Sequence, residues 1–262
     1  MFGDNISGAG HLDFIYSMDI TDEQIKTFLS EMAERYKGKQ LCLYKINQRS
    51  RFIAFFQTYK TELVADYGMH LEKERICVKI DYPDTYDEYM QQLSRKARSN
   101  LRRAYKRLDK LGITYRLEVI QGAFREKKIL ANCMKLYTKR ESRRKHRGYN
   151  FIPYIKHRYF SALTWAMQAM DSQYSFILYM NDRPAAFMTE FLTTFNELVS
   201  PLLAMDTKLH EYSPGKIMIG ESIKWLQGNT DIRCIDLSRG DEYYKFEMGG
   251  HEHYNYKCIL NF

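Results

Sequence analysis

Between Tyr212 and Lys245 the chain has little freedom in what it can fold into. It runs as Tyr212-Ser213-Pro214-Gly215-Lys216, an amphipathic segment, then Ile232-Arg233-Cys234-Ile235-Asp236, then Arg239-Gly240-Asp241-Glu242-Tyr243-Tyr244-Lys245. A turn opens a helix, the helix leads to a strand, and the strand ends in titratable side chains. Ser213 suits a helix N-cap, and Pro214 suits the first helical position, where its missing N–H is no loss. Gly215 lets another group approach the backbone. A helix start with free N–H groups, a positive dipole end and Lys216 attracts an anion. The plainer reading is a capped helix that binds nothing.

The two polar blocks, Tyr212–Lys216 and Asp236-Leu237-Ser238-Arg239-Gly240-Asp241-Glu242-Tyr243-Tyr244-Lys245, resemble the signature of the CelD/FemAB-like branch of the GNAT acyltransferases. The likeness extends from about Tyr82 to the end. It implies an α/β fold with a mixed, mostly antiparallel GNAT sheet. It also implies transfer of an acyl group from acetyl-CoA or another acyl-CoA to an amine acceptor that the sequence does not identify. FemAB relatives take aminoacyl-tRNA as donor, so tRNA is the alternative partner. A basic module without catalysis, binding RNA or an acidic partner, is the third reading.

The rest of the chain is read around that frame. Thr21-Asp22-Glu23-Gln24 forms a capping box before a helix, Leu41–Ile46 a strand, Arg51–Tyr59 a short helix and Arg75–Ile80 a strand. His11–Tyr16 reads as a further strand. This order resembles the second half of a GNAT-like fold, so residues 1–82 are expected to be a partial GNAT-like domain. Thr85 and Glu88 cap one long amphipathic helix ending at Gly112. Its outer face carries Arg95, Lys96, Arg98, Arg102, Arg103, Lys106, Arg107 and Lys110. That face is either solvated or a binding surface for an anionic polymer. Residues 83–112 would thus connect the partial domain to the acyltransferase domain at 113–262. There, Thr114–Ile120, helices at Glu126–Arg140 and Tyr154–Met170, strands Tyr174–Met180, Ala185–Leu192 and Glu197–Met205, the helix after Tyr212 and strand Tyr254–Leu260 follow the GNAT order.

Thioester aminolysis needs a held donor, a stabilised oxyanion and proton transfer to the leaving thiolate. The resemblance places the donor's pyrophosphate at Tyr212, Ser213, Pro214, Gly215 and Lys216. Tyr212 and Ile217 stand where the wider family has Gln or Arg and Gly or Ala. It places the oxyanion donor near the backbone of Ala204. Tyr244, or failing it Tyr243, is the proton donor to the thiolate, against an ordinary buried aromatic. Asp236 and Asp241 are candidates to orient or deprotonate the amine, with Arg239 and Lys245 as partners; the alternative is a charge-paired loop. Glu190 lies in an apolar strand, as a base of raised pKa or as an edge residue with its carboxylate in water.

The chain of 262 residues has a formal net charge of +8, which favours anionic partners without choosing among them. The 5 cysteines show no metal-like spacing and read as buried free thiols in a reducing, cytoplasmic setting. His251 and His253 lack a nearby third ligand, so no metal is expected. No signal peptide, spanning segment, Walker loop or dinucleotide fingerprint is present.

Overall fold

A computed structural model describes residues 17, 19–122, 124, 127–143, 158, 162 and 172–262. The chain divides into two compact units that interleave in sequence. The first draws on the chain up to Val78, on Ser238–Asp241 and on Glu252–Phe262; the second is Lys79–Leu237 with Glu242–His251.

In the first unit, α1 (Asp22–Arg35) starts at Thr21 with both halves of the expected capping box. Strand β1 (Gln40–Asn47) precedes α2 (Arg51–Thr58), capped by Ser50, and α3 (Lys60–Tyr67), which the sequence did not mark. Gly68, at φ 52°, ends α3 in the left-handed conformation a helix stop favours. Strand β2 (His70–Asp81) is longer than expected and crosses into the second unit. The β8 strand (His251–Asn261) runs antiparallel to β1, from Gln40 opposite Asn261, and the register breaks between Leu43 and Ile46. Ile25, Leu29, Leu43, Phe52, Phe55, Phe56 and Leu260 form the core.

The second unit opens with two helices, not one. Helix α4 (Tyr86–Gln92) stops at Leu93, which is extended, and α5 (Arg95–Lys110) restarts at Ser94, whose hydroxyl accepts from the Ala97 N–H. The unbroken helix expected over this stretch misses the break because Leu93 stays buried, so the apolar rhythm passes through it. Strand β3 (Tyr115–Gln121), helix α6 (Lys127–Arg143) and strands β4 (Gln173–Met180), β5 (Arg183–Leu192) and β6 (Leu198–Met205) follow. A 3₁₀ turn (Thr207–Tyr212), α7 (Pro214–Asn229), β7 (Cys234–Arg239) and the short α8 (Tyr243–Glu247) complete it. The expected strand at 11–16 and, apart from residues 158 and 162, the expected helix at 154–170 lie outside the described residues.

The strands of this unit run in the order β7-β6-β5-β4-β3. All pairs are antiparallel except β6 with β7, which is parallel. Asn181 and Asp182 both take positive φ, as a two-residue hairpin requires. Every residue of β4 is buried. Phe176, Leu178 and Met180 face one core with α5 and α7 residues, while Ile177 and Tyr179 face another with α6 residues. A strand covered on both sides reads as an uninterrupted apolar run, which is how it appears in the sequence.

Candidate active site

The site forms where β6 and β7 part. Their parallel pairing joins Leu198 to Ile235 and Val199 to Asp236 and goes no further, although β6 runs on to Met205. Past Val199, β6 bulges. Its register against β5 jumps from Phe191–Val199 to Thr189–Leu202. Ser200 and Pro201 occupy the jump, and proline, having no N–H, suits such a position.

From Leu202 onward the β5–β6 ladder is regular, with Ala204 opposite Phe187. The Asp206 N–H donates to the Ala185 carbonyl at 2.7 Å. Antiparallel ladders alternate, so the Ala204 N–H also turns toward β5, and the Met205 N–H turns to the opposite, parted side. Of these two neighbours, Met205 is therefore the one whose N–H faces the parted side.

Helix α7 begins beside that strand end. A Cβ added at Gly215 would lie 3.4 Å from the Met205 Sδ, so the helix start lies against the end of β6. Pro214 takes the first turn, as expected. Ser213 is the N-cap by position, but its backbone is left-handed at φ 53° and its hydroxyl makes no capping bond. Its carbonyl instead accepts from the N–H groups of Lys216 at 3.0 Å and Ile217 at 3.1 Å. The expected side-chain cap is thus absent, and no cap hydroxyl competes for the first N–H groups. Lys216 is ion-paired with Glu247 of α8, whose other oxygen accepts from Asn100 Nδ2 of α5 at 3.1 Å. The lysine charge is answered within the protein, and the N–H groups of Ser213, Lys216 and Ile217 are already bonded, which leaves the Gly215 N–H and the dipole as the attraction for an anion. Tyr212 is half-buried just before this start.

Helix α8 separates the two tyrosines. Tyr243 is 64% exposed, whereas Tyr244 packs half-buried against the core. Lys245 is buried, with Nζ 3.0 Å from Glu242 Oε2.

Where the β6–β7 ladder stops, three polar side chains are buried. Glu190 of β5 is wholly buried, which removes the solvated-edge reading. The Ser200 hydroxyl donates to its Oε1, and its Oε2 has no hydrogen-bond partner among the described residues. Burial pushes the Glu190 carboxyl up to about 8; Ser200 opposes this and the charge of Asp236 adds to it. Asp236 is itself buried on β7. Ser200, Asn100 and Glu247 carried no sequence signal of their own, although Ser200-Pro201 inside a strand marks a bulge.

Arg239 and Asp241 fall in the first unit. Arg239 is half-buried near Glu74, Arg75 and Cys77, and Asp241 is exposed. Elsewhere in the second unit, Asp81, Glu197 and Cys234 approach within 4.8 Å of one another. The Lys79 ammonium lies among them, 3.7 Å from Asp81 and 3.3 Å from Glu197, and supplies the positive charge a cation would bring. On α5, Arg95, Lys96, Arg102, Arg103, Lys106, Arg107 and Lys110 are exposed. Arg103 donates to Asn100 Oδ1 and Arg107 to the Glu211 carbonyl; among the described residues none of this stripe pairs with a carboxylate.

Residues 95–246, more than half of the chain, match the family model described as an acetyltransferase (GNAT) domain. The chain belongs to the GNAT acetyltransferase family. The match runs from α5 into α8, and the protein is an acyltransferase. Its fold resembles that of a conserved protein of unknown function from Bacteroides thetaiotaomicron (TM-score 0.60, 13% identity, covering 91% of this chain and 75% of that one). FemX (TM-score 0.57, 11% identity, 90% and 76%) and L-PGS from Bacillus licheniformis (TM-score 0.56, 15% identity, 90% and 72%) are also similar. No curated protein matches the chain in sequence. Among the described residues, no helix is long and apolar enough to cross a membrane.

Proposed function

We propose that this GNAT enzyme moves an acyl group from acetyl-CoA or another acyl-CoA to an amine, by direct attack and with no covalent enzyme intermediate. The observation that carries this reading is the parting of β6 and β7 beside the start of α7. A parted strand edge offers backbone N–H groups to a carbonyl, and a helix start offers them to a pyrophosphate. Ser213–Lys216 would hold the pyrophosphate, through the Gly215 N–H and the helix dipole more than through the neutralised lysine. The Met205 N–H would stabilise the oxyanion as the amine adds to the thioester carbon. Tyr244 would protonate the departing thiolate and recover its proton from solvent. Like charges in one dry site do not both ionise, so a protonated Glu190 leaves Asp236 as the carboxylate that accepts the proton of the amine. Tyr243 and Lys245 remain the second unit's candidates for handling the acceptor.

Calorimetry with acetyl-CoA and longer acyl-CoAs tests the donor, with saturable binding as the expected result. Folded protein that binds none of them at millimolar concentration rules the donor out. The stripe on α5 favours a second reading, in which the donor is aminoacyl-tRNA. In that case RNA binding must weaken steeply with salt. A basic module that binds RNA without catalysis shares this behaviour but gives no acyl transfer.

A further inference from the structure

The end of α5 and the start of β3 form a cavity of about 520 Å³ that the acyl-transfer chemistry does not use. That volume lies within the range of small-ligand sites. Tyr105, Leu108, Ile113 and Tyr115 wall it, and Lys106 and Asp109, both exposed, line it as well. Two of the five large apolar side chains left exposed among the described residues stand in this stretch, Leu111 at 54% and Tyr115 at 41%.

The Tyr115 ring is a fixed platform. It meets the Tyr105 ring with centroids 5.7 Å apart and planes inclined at 47°. Tyr105 is itself anchored, its hydroxyl donating to Glu221 Oε1 of α7 at 2.7 Å. Rings already in contact leave no slot for a third between them, so a planar ligand stacks over the exposed side of Tyr115.

The charges around the cavity sort the parts of a ligand. Arg102, Lys106 and Lys110 recur every fourth residue of α5, ~6 Å apart along its axis, and all are exposed. Lys106 thus belongs both to this row and to the cavity lining. Asp109 repels a phosphate from the cavity itself and offers acceptor oxygens to N–H groups. A phosphate chain therefore runs along the helix, while a neutral, planar, N–H-bearing group turns into the cavity. Those are the parts of a nucleotide strand whose bases are unpaired.

We infer that this cavity takes an unpaired nucleobase, stacked on Tyr115, from an RNA strand whose phosphates follow the α5 row. This rests on the reading of α5 as an RNA-binding face, and adds to it a contact that carries no charge.

Fluorescence anisotropy of a short single-stranded RNA, measured over a series of salt concentrations, separates the two contributions. Tyr115→Leu keeps an apolar side chain and removes the ring, so affinity falls about tenfold while the salt slope is unchanged. Tyr115→Phe keeps the ring and the affinity. An abasic strand of the same length carries the phosphates without the bases. It binds the unaltered protein more weakly than the intact RNA does, and Tyr115→Leu weakens it no further. The comparison of intact with abasic strands uses the unaltered protein, so it holds should a variant fail to fold. RNA that binds with a steep salt slope but equally well to Tyr115→Leu overturns the inference and leaves α5 as an RNA face. Intact and abasic strands that bind alike do the same. RNA that fails to bind even at low salt overturns both.

Discussion

The start of α7 and the outer face of α5 are both places where the sequence promises an anion, and they differ in kind. At α7 a single lysine suggested the attraction, yet Glu247 neutralises that lysine. What remains is the Gly215 N–H and the helix dipole beside a parted strand, the Lys216 and Ile217 N–H groups being bonded to the Ser213 carbonyl. On α5 the cations stand exposed with no carboxylate partner among the described residues. The first arrangement is directional and survives salt; the second is diffuse and screened by it. A residue count ranks α5 first, whereas geometry ranks α7 first.

The largest effect expected belongs to the parted-strand region. Tyr244→Phe keeps the ring and removes the proton donor, so turnover should fall about 10²–10⁴-fold with donor binding nearly unchanged. Acyl-CoA hydrolysis followed by thiol release is the first assay. Near-normal turnover would shift the role to Tyr243 or a water and remove Tyr244 from the mechanism.

Glu190 gives the next effect, in stability. Its folded-state value of about 8 lies above that of an ordinary carboxyl, so the folded protein holds this proton more tightly than the unfolded chain. The favourable contribution is therefore fullest below the ordinary carboxylate range and is lost as pH rises toward 8. Across that window the slope from this group approaches ~1.4 kcal/mol per pH unit. Glu190→Gln should flatten it, as denaturant melts between pH 5 and 8 would reveal. An unchanged slope would mean that Glu190 is ionised in the fold.

Charge removal on α5 comes third. If tRNA is the donor, Arg102→Gln with Lys106→Gln should weaken RNA binding and lower the salt slope by about one for each phosphate no longer neutralised. Acetyl-CoA affinity should stay constant. Equal weakening of both ligands would collapse the distinction between the two regions.

Smallest is the effect of the lysine pair. Lys216→Ala should weaken acyl-CoA binding by only a few-fold, because the Gly215 N–H and the helix dipole remain and the lysine charge is already paired. Glu247→Gln should strengthen it by a similar factor by freeing the lysine charge. A large drop in affinity in Lys216→Ala would return the lysine to the centre of the donor site.

Much of this frame was legible in residue order. Thr21 with Gln24 and Thr85 with Glu88 announced helix starts, and Pro214 fixed the first turn of α7, because capping is local chemistry. The break at Leu93 was hidden, since a buried leucine keeps the apolar rhythm while the backbone leaves the helix. At the candidate site, Tyr244, Glu190 and Asp236 were singled out as residue types in apolar or post-strand positions, and their roles stand as proposals. The oxyanion donor was expected near Ala204, and the choice between Ala204 and Met205 turns on N–H direction, which ladder phase sets and composition does not. The Glu247–Lys216 pair joins residues 31 apart, and no local pattern announces it.

The interleaving of the two units also bears on the order in which the chain can fold as it is made. Strands β1 and β2 leave the ribosome long before β8, which pairs with β1 and supplies Cys258 and Leu260 to the first unit's core. The GNAT unit thus has most of its residues in hand while the earlier unit still waits for a strand, a long-range closure that is slow by nature. Cutting the chain after Gly250 should therefore unravel the part synthesised first.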